Sequence, residues 1–143
     1  MKQVIVLRGL PGSGKTTVAR ELGGTVVSAD DLFETPEGYR FDPGRIGEAH
    51  NACFRAFLDA VLDGVELVVV DNTNTMVAEM APYMLAAGAY GYEAKVLEVQ
   101  VPVETALERN VHEVPEPAIR AMAESLETVD LPPWWEREVI EAA

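Results

Sequence analysis

The sequence predicts an α/β fold with a mostly parallel sheet, and three features of the chain lead to this expectation. Short apolar runs that suit buried strands alternate with stretches of helical periodicity. Alternation of this kind favours parallel strands joined by right-handed helical crossovers. A glycine-rich segment follows the first apolar run and opens the first helix. We therefore expect one domain over residues 1–143, with a four-stranded sheet in the order 2-3-1-4, flanking helices and a short helical lid.

The individual elements follow from apolar periodicity and from capping and breaking residues. Asp42 followed by Pro43 is typical of a helix start, and Gly23, Gly24 and Gly64 are typical of helix ends. Pro82 is expected in an early turn of its helix or at a kink. The predicted strands are 3–8, 25–28, 66–70 and 92–101, and the predicted helices are 15–22, 42–62, 76–89, 103–110 and 118–127.

Composition and charge narrow the classes of function. A length of 143 residues, of which 48% are hydrophobic, supports one core, and the lone Cys53 lies in an apolar helical pattern and is expected in that core. No apolar run approaches the roughly 20 residues of a spanning helix, so we expect a soluble, cytoplasmic protein. A formal net charge of −13 argues against tight binding along duplex nucleic acid, whose affinity depends on basic residues. A chain end, a single strand or a small molecule remains compatible with this charge.

Residues 9–16 fit the pattern GxxxxGK[ST] at every position, between a predicted strand and a predicted helix. Glycines let successive backbone N–H groups turn toward a phosphate, and the following helix N-terminus adds partial positive charge. Lys15 is expected to reach the β- and γ-phosphates of ATP, and Thr16 to offer a hydroxyl to Mg²⁺. The predicted nucleotide-binding residues are Gly9, Pro11, Gly12, Ser13, Gly14, Lys15, Thr16 and Thr17.

Two aspartates follow further predicted strands, and the carboxyl ends of parallel strands meet at one edge of a sheet. Asp30 follows the second strand and is the candidate general base, because a carboxylate near the phosphates can accept the proton of an attacking hydroxyl. The alternative is that Asp30 and Asp31 cap the next helical turn, and of the two Asp31 is the expected cap. Asp71 ends the third strand and is the candidate Mg²⁺ residue.

Three small polar residues continue the chain after Asp71. Asn72, Thr73 and Asn74 lie on the same predicted loop, where their side chains could hold a water, a metal or an acceptor. Turn formation is the competing interpretation for the two asparagines. We assign Asp71 and these three residues to the acceptor side of the predicted site.

Several motifs together resemble one family. RGLPGSGKTT, SADD, YRFDP followed by EAH, VDNTNT, and ALERN followed by VP occur between residues 4 and 126. In this order they resemble the P-loop polynucleotide 5′-hydroxyl kinases and the related kinase-like domains of the zeta-toxin-like AAA type. The resemblance implies a P-loop kinase fold, with ATP and Mg²⁺ held by Lys15 and Thr16. It also implies that Asp30 activates a 5′-hydroxyl and that Arg109 is a lid arginine on the segment 109–117.

For Arg109, the alternative to a lid role is a surface salt bridge. Arg120 is expected to lie against the adenine, and the alternative is that it belongs to an exposed helix face.

Two departures from the family concern the acceptor and the lid. Phe33 stands where the phage-type enzymes have an acceptor-binding arginine, and His112 and Glu113 stand where a second lid arginine is expected. Positive charge near the acceptor could come from Arg40, Arg45 or Arg55, and His50 could also face the acceptor or make a structural hydrogen bond.

The sequence thus favours an ATP-dependent kinase that phosphorylates a hydroxyl group. Its predicted catalytic residues are Lys15, Asp30 and Arg109. The first hypothesis is a 5′-hydroxyl polynucleotide kinase or a close relative. A kinase of a nucleoside, a sugar or a hydroxymethylated base is the alternative enzyme, and a nucleotide-binding switch or accessory module that hydrolyses ATP slowly is the alternative of another class. Trp134 and Trp135 are expected to fold back over the domain, or otherwise to anchor a partner.

Overall fold

The computed structural model describes residues 1–141 and contains one five-stranded sheet whose paired strands are all parallel. The sheet order is β2-β5-β1-β6-β7, and β3 and β4 form a separate two-residue hairpin. The strands are β1 (Gln3–Arg8), β2 (Thr25–Val27), β3 (Glu34–Thr35), β4 (Gly38–Tyr39), β5 (Leu67–Asp71), β6 (Glu93–Gln100) and β7 (Glu136–Glu141). The helices are α1 (Lys15–Leu22), α2 (Ile46–Leu62), α3 (Val77–Ala89), α4 (Val103–Glu108) and α5 (Glu116–Thr128).

The four predicted strands adopt the expected relative order, since β2, β5, β1 and β6 are the second, third, first and fourth of them. The prediction of a four-stranded sheet was wrong, because β7 adds a fifth strand beside β6. Its sequence, EREVIE, is mostly exposed and charged. An edge strand of this kind has no apolar run, so hydrophobic periodicity does not reveal it.

The tail that leads into β7 folds back over the domain. The ring of Trp135 packs against the main core, whereas Trp134 is 80% exposed. An ion pair of 2.7 Å between Lys95 and Glu138 joins β6 to β7 across the sheet edge. The expectation of a covering tail therefore holds for one of the two tryptophans.

The sheet is buried on both faces, as expected for parallel strands between helices. Val4 and Val6 of β1 face the cluster formed with α2 and α3, and Ile5 and Leu7 face the cluster formed with α1. Cys53 lies in the first cluster, which confirms its predicted burial. A third cluster of Leu10, Ala106 and Ile119 packs α4 and α5 against the loop after β1.

The helix boundaries agree with the predicted caps at several points. Gly14 and Gly23 flank α1 in the left-handed conformation, and Asp42 Oδ1 accepts a hydrogen bond of 2.9 Å from the Gly44 N–H. That bond caps a short 3-10 turn, Pro43–Arg45, which leads into α2. Pro82 lies inside α3. Within residues 1–141, the structure contains no helix with the length and apolar character needed to cross a membrane.

Candidate nucleotide and phosphoryl-transfer site

The loop between β1 and α1 has a backbone that only glycine permits at several positions. Gly12 and Gly14 have φ angles of 80° and 96°, which L side chains rarely adopt. A Cβ on Gly12 would lie 2.5 Å from the Ala106 carbonyl oxygen, and one on Gly9 would lie 2.7 Å from that of Val99. The glycines therefore let the loop curl tightly against α4 and the end of β6, with α1 starting at its end.

Two side chains of this loop are buried and polar. Ser13 is fully buried, and its hydroxyl has no hydrogen-bond partner among the described residues. Buried polar groups are nearly always hydrogen-bonded, so an orphaned hydroxyl in a glycine-rich cradle fits a bound phosphate group. Lys15 is 8% exposed and donates a hydrogen bond of 2.9 Å to the Leu10 carbonyl oxygen.

The electrostatic surroundings of Lys15 suit its predicted contact with an anion. Burial lowers the pKa of Lys15, while the negative charges of Asp71 and Asp30 act in the opposite direction. Lys15 makes one hydrogen bond, to the Leu10 carbonyl oxygen, so phosphate oxygens could accept from its remaining N–H groups. The same three charges show that the carboxyl ends of β2 and β5 and the loop after β1 converge.

Thr16 and Asp71 form the part of the site that suits a cation. The Thr16 hydroxyl donates a hydrogen bond of 3.2 Å to Oδ2 of Asp71. Burial raises the pKa of Asp71, and the charge of Lys15 and the bond from Thr16 only partly offset this effect. A hydroxyl and a carboxylate are hard oxygen donors, and Mg²⁺ is usually held by few such groups together with substrate phosphates and water. These residues therefore fit the metal that the P-loop implies.

The segment after Asp71 is held by the fold. Thr73 accepts a hydrogen bond of 3.0 Å at its carbonyl oxygen from the Gly9 N–H, and Asn72 Oδ1 accepts one of 2.9 Å from the Ala29 N–H. Asn74 is 1% exposed, has a φ of 49°, and donates a hydrogen bond of 2.7 Å to the Leu7 carbonyl oxygen. Both asparagines thus link neighbouring strand ends, and their contact with an acceptor stays a prediction.

A buried ion pair that was not anticipated from the sequence lies beneath this segment. Arg8 donates through Nη1 to Glu98 at 2.7 Å, and through Nε and Nη2 to the carbonyl oxygens of Asn74 and Thr75, each at 2.9 Å. Arg137 of β7 adds a second contact of 3.0 Å to Glu98. Arg8 therefore fixes the position of the loop that follows Asp71.

Asp30 lies on a 3-10 turn, Ala29–Phe33, directly after β2. Ser28 caps this turn by accepting a hydrogen bond of 3.2 Å from the Asp30 N–H, so the prediction of Asp31 as the cap was wrong. The Asp30 side chain is free of the capping role, because the shorter serine side chain reaches the N–H group two residues ahead. Its carboxylate is exposed, and its charge acts on Lys15 and Asp71.

Two aromatic residues contact Asp30, and the sequence did not single them out for this role. The Tyr39 hydroxyl donates a hydrogen bond of 3.1 Å to Oδ1 of Asp30, and Nδ1 of His112 lies 3.8 Å from Oδ2. The two rings stack with centroids 3.9 Å apart and planes 5° apart. Burial and the Asp30 charge raise the pKa of Tyr39, which keeps its hydroxyl protonated as a donor. The presence of Tyr39 within the YRFDP motif was the available signal.

The predicted lid segment, residues 109–117, runs from the end of α4 into the first turn of α5. Asn110 closes a small loop within it through two hydrogen bonds to Val114. Its side chain donates one of 2.6 Å to the Val114 carbonyl oxygen and accepts one of 3.0 Å from the Val114 N–H. This loop presents His112 toward Asp30. Arg109 directly follows α4 and is exposed, and its predicted contact with the transferred phosphate remains a prediction.

Arg120 and two of the candidate acceptor residues, Arg40 and His50, lie on the surface. Arg120 pairs with Glu116 at 3.0 Å and Glu104 at 3.1 Å, which ties α5 to α4 as an exposed helix face would. Arg40 and His50 are exposed, as is Thr17 on α1, and none of their predicted roles is tested by these positions.

Phe33 is 3% exposed and makes edge contacts with the rings of Tyr39 and Phe41, at centroid distances of 6.1 and 5.1 Å. It therefore supports an aromatic cluster beside Asp30. An arginine in place of Phe33 would lose this packing and bury a charge. The acceptor-binding arginine of the phage-type enzymes therefore has no counterpart at this position.

A known family and several known proteins resemble this chain over most of its length. A family model described as an AAA domain matches residues 4–129. NEDD4-binding protein 2 of Homo sapiens is 34% identical over 131 residues, which cover 85% of this chain and 7% of the relative. A putative bifunctional polynucleotide kinase/RNA ligase of Autographa californica nuclear polyhedrosis virus is 33% identical over 125 residues, which cover 76% of this chain and 18% of the relative. The chain thus spans less than a fifth of either relative.

Solved structures share the fold at low sequence identity. A chain of the Pnkp1/Rnl/Hen1 RNA repair complex superposes with a TM-score of 0.72 and 18% identity, over 88% of this chain and 44% of that one. A gluconokinase from Sinorhizobium meliloti 1021 superposes with a TM-score of 0.63 and 18% identity, over 99% and 83%. The fold is therefore that of P-loop kinases, as the resemblance of the motifs implied.

Proposed function

The chain belongs to the AAA domain family, and from this membership and the site geometry we propose that it transfers the γ-phosphoryl group of ATP to a 5′-hydroxyl group of a polynucleotide. The observation that carries the proposal is the convergence of Lys15, Asp30 and Asp71 at the carboxyl edge of the sheet. A phosphate-binding lysine, a candidate base and a candidate metal residue are the groups that such a transfer requires.

The ATP half of the site follows from the loop after β1. Its backbone N–H groups, the Ser13 hydroxyl and the Lys15 ammonium hold the phosphates, with α1 directed at them through its N-terminus. Thr16 and Asp71 would hold Mg²⁺, directly or through water, and the ion would supply positive charge to the phosphates. Arg109 completes the site from the lid by stabilising the charge that spreads over the transferred group.

On the acceptor side, Asp30 accepts the proton of the attacking hydroxyl. The acceptor oxygen forms a bond to the γ-phosphorus as the bond to the β,γ-bridging oxygen breaks, and ADP leaves. Asp30 suits this role because its carboxylate is exposed, while Tyr39 orients it through one oxygen. Support for a nucleic-acid acceptor comes from the relative described as a putative polynucleotide kinase/RNA ligase.

A kinase of another hydroxyl is the second candidate, and Phe33 favours it. The buried ring leaves the acceptor side without the arginine that holds a nucleic-acid phosphate in the phage-type enzymes. A nucleoside, a sugar or a hydroxymethylated base would need no such contact. The net charge of −13 is also better suited to an acceptor with few phosphates.

Labelled ATP with Mg²⁺ and a panel of acceptors tests the proposal. The panel contains 5′-hydroxyl DNA and RNA oligonucleotides, DNA with hydroxymethylated bases, nucleosides and sugars, and Lys15→Ala is the inactive control. Transfer to the 5′-hydroxyl oligonucleotides supports the proposal. Transfer to another class alone replaces it with the second candidate, and release of phosphate without any transfer indicates a nucleotide-binding module that hydrolyses ATP.

A further inference from the structure

We propose that the face of the Tyr39 ring now covered by His112 is the stacking platform for the terminal nucleobase of the acceptor. This inference rests on the proposed function and adds a specificity-determining contact to it. Its starting point is the flat stack of the two rings, with centroids 3.9 Å apart and planes 5° apart, next to Asp30. Aromatic side chains stack on nucleobases in this parallel geometry in proteins that bind single-stranded nucleic acids.

Tyr39 is the fixed member of the stack. It ends β4 of the small hairpin, its ring edge contacts the buried Phe33, and its hydroxyl is hydrogen-bonded to Asp30 at 3.1 Å. The adjacent backbone is also tied down, because the Arg40 N–H donates a hydrogen bond of 2.8 Å to the Phe33 carbonyl oxygen. A platform needs such fixation, since a ring that is already ordered loses little entropy when a ligand stacks on it.

His112 is the displaceable member. It lies on the lid segment, its side chain is about one-third exposed, and its Nδ1 lies 3.8 Å from Asp30 Oδ2, beyond ordinary hydrogen-bond length. An incoming hydroxyl has to reach an Asp30 oxygen, and Oδ1 already accepts from Tyr39. Oδ2 is therefore the oxygen open to the acceptor, and the acceptor has to replace the imidazole beside it.

The position of the platform selects a class of acceptor. The Tyr39 hydroxyl touches Asp30, so a base on that ring face lies about one nucleoside's length from the carboxylate and leaves its own 5′-hydroxyl within reach. Stacking is largely independent of base identity and needs no basic surface. This suits a chain with a net charge of −13 and a buried Phe33 in place of an acceptor-binding arginine.

The test compares a single-stranded 5′-hydroxyl oligonucleotide with the same oligonucleotide whose terminal nucleoside lacks its base. At saturating ATP and Mg²⁺, we expect the wild-type protein to show roughly a 10-fold higher KM for the abasic acceptor, as loss of one stacked base would cause. Compared with Tyr39→Phe, which loses the same hydrogen bond to Asp30 but keeps the ring, Tyr39→Leu raises the KM of the intact acceptor to that of the abasic one. Tyr39→Phe retains the discrimination, because it keeps the ring.

His112→Ala provides the second arm, and we expect a several-fold lower KM for the intact acceptor because the platform is already uncovered. Equal KM values for both acceptors in the wild-type protein overturn the proposal. An equal rise for both in Tyr39→Leu, compared with Tyr39→Phe, overturns it as well, since a structural defect acts on any acceptor. Thermal unfolding of each variant verifies that the fold is retained.

A binding measurement separates this inference from the proposed function. A 5′-hydroxyl oligonucleotide with 2-aminopurine as its terminal base reports stacking through fluorescence quenching, without any phosphoryl transfer. Quenching by the wild-type protein and its loss in Tyr39→Leu support the platform even if no transfer occurs. Transfer without quenching removes the platform and leaves the kinase activity standing.

Discussion

The guanidinium of Arg8 and the carboxylate of Glu98 form a fully buried ion pair of 2.7 Å at the carboxyl end of the sheet. Arg8 also holds the carbonyl oxygens of Asn74 and Thr75, so this pair connects β1 and β6 to the loop after Asp71. The residue that precedes the phosphate-binding loop therefore positions the segment on the other side of the site. A site of this kind depends on such supporting contacts for its geometry.

Glu98→Ala is expected to destabilise the protein by about 3–5 kcal/mol, because it leaves the buried Arg8 charge without its partner. Chemical denaturation measures this difference. Glu138→Gln is the matched control, since it removes the exposed pair with Lys95 and should change stability by less than about 1 kcal/mol. Similar effects of the two variants would contradict the structural role of the buried pair.

Low pH should lower the stability of the protein through protonation of Glu98. Burial opposes the charged form of Glu98, but hydrogen bonds from Gln100 and Arg8 and the charge of Arg137 outweigh it and lower the pKa of Glu98. A lowered carboxyl pKa contributes stability above the unfolded value of about 4.3, and this is lost as the pH falls toward the folded value. Wild-type stability should therefore drop below about pH 4, and Glu98→Gln should flatten this part of the profile.

Asp30→Asn is expected to lower phosphoryl transfer by roughly 10²-fold or more and to leave ATP affinity within a few fold, because the amide cannot accept the proton of the acceptor. Single-turnover kinetics and nucleotide titration measure the two quantities. Asp31→Asn, at the neighbouring exposed position, is the control. An equal loss of ATP binding would instead assign Asp30 to the metal or to the structure.

Asp71→Asn is expected to raise the melting temperature by a few degrees while it abolishes Mg²⁺-dependent transfer. Burial raises the pKa of Asp71, and a carboxyl group with a raised folded pKa stabilises the protein below its ordinary pKa and loses this as the pH rises. At neutral pH its charge is therefore unfavourable, and a neutral amide relieves the cost. Melting curves at pH 7 and near pH 3.5 should show a difference that shrinks in acid.

The exposed Asp59→Asn on α2 serves as the control for Asp71→Asn and should leave the melting temperature almost unchanged. MgATP should raise the melting temperature of the wild-type protein more than that of Asp71→Asn. A ligand that binds the native state more tightly stabilises it more. A melting temperature lowered by Asp71→Asn would show that the charge of Lys15 and the bond from Thr16 together outweigh burial.

Arg109→Ala is expected to lower kcat by at least about 10²-fold with little change in nucleotide affinity, if its contact forms chiefly in the transition state. Arg109→Lys should recover activity only in part, because lysine lacks the planar fork that bridges two phosphate oxygens. Arg20→Ala at the exposed end of α1 is the control.

Hydrogen exchange of residues 109–117 should slow when a non-hydrolysable ATP analogue binds, because a lid closes over nucleotide and reopens to release ADP. Exchange of α3 is the internal reference. Unchanged exchange in the lid segment, together with a wild-type rate for Arg109→Ala, would remove the lid from the mechanism.

Local patterns in the sequence determined most of the fold and the ATP side of the site. The strand-glycine-helix pattern around Lys15, the apolar runs that end near Asp30 and Asp71, and the helix caps depend on neighbours a few residues apart, so they can be recognised along the chain. The tertiary structure alone decided the contacts between distant residues. Arg8 meets Glu98, and Tyr39 meets His112, across 90 and 73 positions of chain.

The edge strand β7 likewise depends on tertiary structure, because its charged residues become a strand only through hydrogen bonds to β6. The same reason explains why Ser28 rather than Asp31 caps the turn before Phe33: both residues favour caps, and only the path of the chain after β2 decides between them. Residue types and spacing thus determined which chemistry the protein carries, and packing decided which side chains stand beside Asp30.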